Sequence, residues 1–151
     1  MLPEFIERTK QQHIYEITAF GGVILYILIA LIFLFLGNFG MFYRLLTGLL
    51  LIYFIVIIIK IFYFKNRPQK YKYSNFIERI DASSFPSVHG ARSAFLAAAL
   101  IQFFGNFAIS IMLILLGAMV AYSRIHLKAH DIKDITAGII LGLAVFFIVN
   151  I

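Results

Sequence analysis

Cysteine is absent from this chain of 151 residues, so no disulfide framework or thiolate metal site is open to it, and compartment is not legible from redox chemistry. Charge is scarce as well. Only 13% of residues are charged while 62% are hydrophobic, and the mean hydropathy is +0.95. Apolar usage in soluble domains sits near ~45–50%, and a domain of this length cannot hide so much more. That excludes a soluble single domain, and with it the nucleic-acid partner that a net charge of +6 would otherwise invite. In a bilayer the same excess points to anionic headgroups or a phosphate-bearing substrate. Internal repeats and low-complexity segments are lacking. The N-terminus has no small-residue cleavage site of the signal-peptide kind.

What is present is a series of long uncharged runs, each to be measured against the ~20 residues of a spanning helix. The first covers residues 17–43, with Gly37-Asn38 as a natural stop. The second runs from Met41 to Phe64, with Lys60 near enough to its end to snorkel. A polar stretch of residues 65–86 follows. The next uncharged run, from Ser93 to Ser123, is 31 residues long. As one helix it would reach ~46 Å, well beyond a ~30 Å hydrocarbon core. Gly105-Asn106 near its middle therefore predicts a tight helical hairpin. A last span begins near His130. The expectation is an all-α bundle of about five transmembrane helices forming one domain over residues 1–151, with residues 1–16 as a short interfacial helix.

Ionisable residues beside spans are functional candidates by default. Three clusters qualify: Lys60 with Arg67-Pro68; Phe85-Pro86-Ser87-Val88-His89; and Ser123-Arg124 with His130 and Asp134. The hairpin is what places all three at one membrane face. His130 and Asp134 are four apart and share a helix face, so the carboxylate can orient the imidazole and leave its far nitrogen free to attack. Capping the start of a span explains that pair equally well. Pro86 suits a first helical turn, with Ser84 or Phe85 as cap, and the N–H groups of that turn with Ser87 would face an anion. Ordinary capping beside an interfacial histidine is the plainer reading. Lys60, Arg67 and Arg124 fit phosphate oxygens, or simply snorkelling cations.

Taken together the clusters resemble the type 2 phosphatidic acid phosphatase (vanadium haloperoxidase-like) superfamily, whose signature runs K-x6-R-P, P-S-G-H, S-R-x5-H-x3-D. Lys60 and Arg67-Pro68 keep the first spacing, Ser123-Arg124, His130 and Asp134 the third, and the order agrees. Val88 replaces the glycine of the second. The resemblance implies a membrane lipid phosphatase in which His130 forms a phosphohistidine, Asp134 orients it and His89 protonates the leaving group. Lys60, Arg67, Ser87, the Val88 N–H and Arg124 would then hold the phosphate, with no metal or other cofactor. It implies a phospholipid or polyprenyl (di)phosphate as substrate. Membrane members usually have six spans, one more than expected here, and Val88 lacks glycine's freedom at positive φ.

Two rivals stand beside this reading. His126, His130 and Asp134 recur every four residues and offer a helical face of metal ligands for a metal-dependent hydrolase. A small transporter would instead bind its cargo near the midplane, but no charged residue lies deep in any predicted span. Twelve of the 13 Lys and Arg residues fall on the face of the clusters and only Arg44 opposite. The positive-inside rule then turns that face to the cytoplasm of a multi-pass protein of the cell membrane. Phe62, Tyr63, Tyr71 and Tyr73, near Lys70 and Lys72, suit an interfacial portal for the lipid. Oligomeric state is not encoded in any of these features.

Overall fold

A computed structural model of the protein describes residues 13–69 and 73–151. Among the described residues there are seven helices and no strand: α1 (His13–Phe20), α2 (Val23–Phe35), α3 (Phe39–Phe62), α4 (Phe76–Ala82), α5 (Val88–Phe104), α6 (Phe107–His126) and α7 (Ile132–Val149). Most of the expected interfacial helix, and Lys70, Tyr71 and Lys72 of the expected portal, lie outside the described residues.

Glycine and asparagine set the turns at the end of the bundle remote from the clusters. Gly37 adopts φ +73° and Gly105 φ +58°, left-handed values that cost a residue with a Cβ about 1 kcal/mol. Asn38 then caps α3, its side chain accepting from the Met41 N–H at 3.0 Å, and Asn106 caps α6 by accepting from the Ile109 N–H at 3.1 Å. The second of these turns is the predicted hairpin. It returns α6 to the end of the bundle from which α5 sets out, and at the remote end Arg44 donates to Gln102 Oε1 at 2.9 Å.

The expected bundle of about five membrane helices is present as helices of unequal length. Three helices (α3, α6, α7) are long and apolar enough to cross a bilayer, and α1 with α2, bent by 43°, adds a fourth if they are one broken span. At 17 residues α5 reaches only ~26 Å against ~30 Å of hydrocarbon.

Helix α5 is nevertheless the centre of the bundle, packed on α7, α6, α3 and α2. Small residues permit this, as they do between helices in lipid, where apolar side chains gain little by leaving the solvent. A Cβ built on Gly138 of α7 would stand 2.3 Å from the Ser87 carbonyl oxygen, and one on Gly142 would stand 2.2 Å from that of Ala91. Gly48 of α3 admits the Phe95 ring in the same way. Around these contacts Tyr26, Phe33, Leu45, Ile52, Phe95 and Val145 form the buried core, and the Tyr26 hydroxyl donates to the Leu45 carbonyl at 2.8 Å. Large apolar side chains elsewhere, such as Ile24, Phe54, Phe107 and Phe147, point outward, as a lipid-facing surface requires. In α6 only Val120 and Ser123 are buried.

Because the group facing Gly138 is backbone, it cannot rotate away. Gly138→Ala is expected to destabilise the protein by about 1–3 kcal/mol, the usual cost of overpacking. Gly117→Ala, where an added Cβ meets nothing within 4 Å, is the matched control and should not lower the melting temperature in detergent. Equal melting temperatures for the two variants would contradict the close α5–α7 contact.

Candidate active site

The site is built where α3 ends, α5 begins and α6 turns into α7. Residues 65–69 zip against 81–84 and against the α6–α7 turn. The Ser84 N–H donates to the Lys65 carbonyl at 2.8 Å, Arg67 Nη2 to the Asp81 carbonyl at 2.5 Å, and the Gln69 N–H to the Lys128 carbonyl at 3.0 Å. This brackets a small pocket of about 140 Å³ lined by Tyr53, Lys60, Arg67, Asp81, Val88, His89, Arg92, Arg124 and His130. Ligand pockets for drug-sized molecules run from ~300 Å³, so this one admits a headgroup phosphate and not a lipid tail.

Six of the residues singled out from the sequence therefore converge: Lys60, Arg67, Val88, His89, Arg124 and His130. The other two stand behind the lining. Ser87, and not Ser84 or Phe85, is the N-cap of α5. Its hydroxyl accepts from the Gly90 N–H at 3.3 Å and its own N–H donates to the Asp134 carbonyl at 3.0 Å. Pro86 consequently precedes the cap and is not in the first turn. Val88 opens the helix in ordinary α conformation, since the positive-φ residues among those described are Gly37, Gly105 and Lys128. No glycine is required at that position, and its N–H belongs to the first turn, whose donors have no partner inside the helix.

His130 is 4% exposed, and its orientation differs from expectation. Its Nδ1 donates to the Ser84 carbonyl at 2.8 Å, whereas the nearer Asp134 oxygen stands 3.8 Å away, too far for a hydrogen bond. The carbonyl fixes the tautomer with the proton on Nδ1, which leaves Nε2 with its lone pair. Burial, and then the Arg124 and Arg67 cations, push the imidazole down to about 4 despite the opposing pull of Asp134. It is neutral at physiological pH.

Asp134 is fully buried and bound elsewhere. Lys65 Nζ reaches its Oδ1 at 2.7 Å and Asp131 Oδ2 at 2.5 Å, and Asp131 with Asp134 forms a capping box at the start of α7. The Lys65 hydrogen bond, foremost, holds Asp131 below the usual carboxylate range. Burial draws Lys65 down, but its bonds to the two carboxylates outweigh this and hold the ammonium above its ordinary value. The sequence reading overlooked Lys65. It also overlooked Arg92, which sits just past the first turn of α5, near the end of a predicted span. Arg92 is 4% exposed inside α5, donating to the Tyr53 hydroxyl and to the Gly21 carbonyl at 2.8 Å. Its signal was its place, three residues past His89 in an apolar stretch.

The metal-ligand face does not assemble. Among the described residues no three His, Asp or Glu side chains converge, and His126 ends α6 beside Tyr122, ring centroids 5.8 Å apart. Beyond the pocket, two apolar clefts of about 250 and 470 Å³ run along α5 and α6, sharing Ser93, Ala97, Leu113 and Gly117.

Cations gathered around a neutral, oriented imidazole at one end of a lipid-facing bundle define a phosphoryl-transfer hydrolase of the membrane-helical type. The PAP2 superfamily model matches residues 41–151, and the chain belongs to that superfamily; it is a phosphatase. The crystal structure of Aquifex aeolicus LpxE is similar to it, with a TM-score of 0.75 and 25% identity over 94% of this chain and 86% of that one. No curated protein sequence matches the chain.

Proposed function

We propose that the protein removes the terminal phosphate of a membrane lipid, a phospholipid or a polyprenyl (di)phosphate, through a phosphohistidine and without a metal. The observation that carries this is His130, its Nδ1 committed to the Ser84 carbonyl, in a pocket with Lys60, Arg67 and Arg124. His130 Nε2 attacks phosphorus, and His89 gives its proton to the departing oxygen. The three cations and the Val88 N–H hold the equatorial oxygens, while Ser87 keeps the start of α5 in place. Asp134, held by Lys65 and by the capping box of α7, fixes the segment that carries His130. Water then hydrolyses the N–P bond. The clefts along α5 and α6 suit the apolar stem of such a substrate, which the small pocket cannot contain.

Phosphate release from a panel of lipid monophosphates and diphosphates, with chelator present, tests the reading. Turnover should persist in chelator, and vanadate, whose five-coordinate form imitates the transition state, should inhibit competitively about a hundredfold below KM. Absence of release from every lipid would sink the reading. Loss in chelator restored by a divalent ion would revive the metal-dependent alternative.

We further propose that the site faces the cytoplasm, on the excess of Lys and Arg at that end. Gln69 is exposed beside the pocket, and only its backbone N–H is engaged. Gln69→Cys should resist a membrane-impermeant thiol reagent in intact cells and react after lysis. Labelling without lysis reverses the assignment.

A further inference from the structure

Lys65 is not among the residues that the superfamily signature names, yet it touches both groups that flank the His130 imidazole. Its main chain runs beside residues 83–84. The Ser84 N–H donates to the Lys65 carbonyl at 2.8 Å, and the Lys65 N–H donates to Ser83 Oγ at 3.3 Å. Its side chain crosses to the start of α7, where Nζ donates to Asp134 Oδ1 at 2.7 Å and to Asp131 Oδ2 at 2.5 Å. Ser84 and Asp134 also offer His130 Nδ1 its acceptors, the carbonyl at 2.8 Å and Asp134 Oδ2 at 3.8 Å.

The carbonyl holds the Nδ1 proton although an ionised carboxylate is the stronger acceptor. The reason lies with the carboxylate. Its Oδ1 accepts from Lys65, and its Oδ2 accepts from the Asp131 N–H at 3.0 Å within the capping box. Both oxygens are thus engaged, and the charge of a side chain that is 0% exposed is met by an ammonium. Without that ammonium the carboxylate would stand buried and uncompensated, a state costly enough to draw a cation or a proton from its surroundings. The His130 imidazole is the ring 3.8 Å away.

We infer that Lys65 is a positioning residue: by occupying Asp134 it keeps the carboxylate off His130, so that the neutral Ser84 carbonyl orients the nucleophile. This rests on the proposed phosphatase reading. A carbonyl fixes the tautomer without adding negative charge, so the imidazole stays unprotonated and its Nε2 lone pair stays available. An uncompensated carboxylate at the same place would favour the imidazolium, which cannot attack. The other charged and titratable groups facing the ring are Lys60 from α3, Arg67 beside Lys65, Asp81 from α4, His89 and Arg92 from α5, and Arg124 from α6. With Asp131 at the start of α7, all of them remain when Lys65 alone is replaced. The main-chain bond from Ser84 to residue 65 remains as well, so a side-chain substitution separates the two halves of the contact.

The test follows the protonation of His130 in the full-length protein in detergent micelles, by two readouts. One is kcat/KM against pH for an activated aryl phosphate, whose leaving group does not need the His89 proton. The other is nitrogen NMR of labelled histidine, which reads tautomer and charge without turnover; the His130 signals are those lost in His130→Gln. The wild type should show a neutral ring with its proton on Nδ1 at about pH 6. Lys65→Gln should raise the acid limb and the NMR midpoint together by at least about one pH unit, a tenfold gain in imidazolium at a given pH. Lys65→Arg, which restores a cation between the two carboxylates, should keep the wild-type midpoint. Asp134→Asn added to Lys65→Gln should bring it back down. An unmoved midpoint in Lys65→Gln, even with turnover reduced, would make Lys65 a structural residue only and overturn the inference. So would an upward shift that Lys65→Arg shares or that Asp134→Asn does not reverse. Should Lys65→Gln fail to fold, the wild type still decides, since an imidazolium or a proton on Nε2 at about pH 6 also overturns the inference. A wild type that releases no phosphate while its NMR signals are as expected would instead remove the phosphatase reading beneath it.

Discussion

His130→Ala is expected to abolish lipid phosphate hydrolysis, a loss of at least about a thousandfold in kcat, while the protein keeps its melting temperature to within a few degrees. The side chain contributes one hydrogen bond to the fold, to the Ser84 carbonyl, whereas its free nitrogen is the only route to the covalent intermediate under the proposed mechanism. The pH dependence carries the same signature. Protonation of Nε2 removes the attacking lone pair, so activity is present above the imidazole's pKa and is lost as pH falls through it. With that value held down to about 4 by burial and by Arg124 and Arg67, the acid limb of kcat/KM assigned to His130 should lie near pH 4, well below a free imidazole. Normal turnover in His130→Ala, measured as released phosphate, rules the mechanism out.

His89→Ala should show a different pattern, with a loss that depends on the substrate's leaving group. General acids contribute about a hundred- to ten-thousandfold, and that help matters only when the departing oxygen is a poor leaving group. An alkyl phosphate should therefore lose about a hundredfold or more in the rate of phosphoenzyme formation, and an activated aryl phosphate about tenfold or less. Rapid-quench measurement on both substrates separates the cases. Equal losses would make His89 a residue of binding or packing, a role its contact with Gly21 also permits, since a Cβ on Gly21 would come within 3.3 Å of the His89 ring.

Most of the candidate site was legible in one dimension because its parts are local. Lys60 and Arg67, Ser87 and His89, and Arg124, His130 and Asp134 each fall within a short segment, and the resemblance to the superfamily signature singled them out. The turns at Gly37-Asn38 and Gly105-Asn106 were legible for the same reason, since positive φ and side-chain capping are properties of two or three neighbouring residues. The partners of those residues were less so. The four-residue spacing of His130 and Asp134 predicted a shared helix face, but His130 stands ahead of the Asp131 cap, outside α7. The spacing did not reveal that Ser84, 46 residues away, takes the imidazole hydrogen bond, or that Lys65 takes the carboxylate.

Composition and periodic runs by themselves determined a helical membrane protein with its polar clusters at one end, because the cost of unpaired backbone and of charge in lipid leaves few other arrangements. The tertiary structure decided which cations line the pocket. Arg92 reads in sequence as an isolated charge and Tyr53 as one aromatic among many. Gly21 precedes the segment the superfamily matches. They meet because small residues on α5 and α7 let the helices approach until backbone touches backbone, drawing the start of α5 inward against α3 and the α1–α2 break. Close packing of that kind depends on which helices are neighbours, and a pattern along one helix does not specify its neighbours.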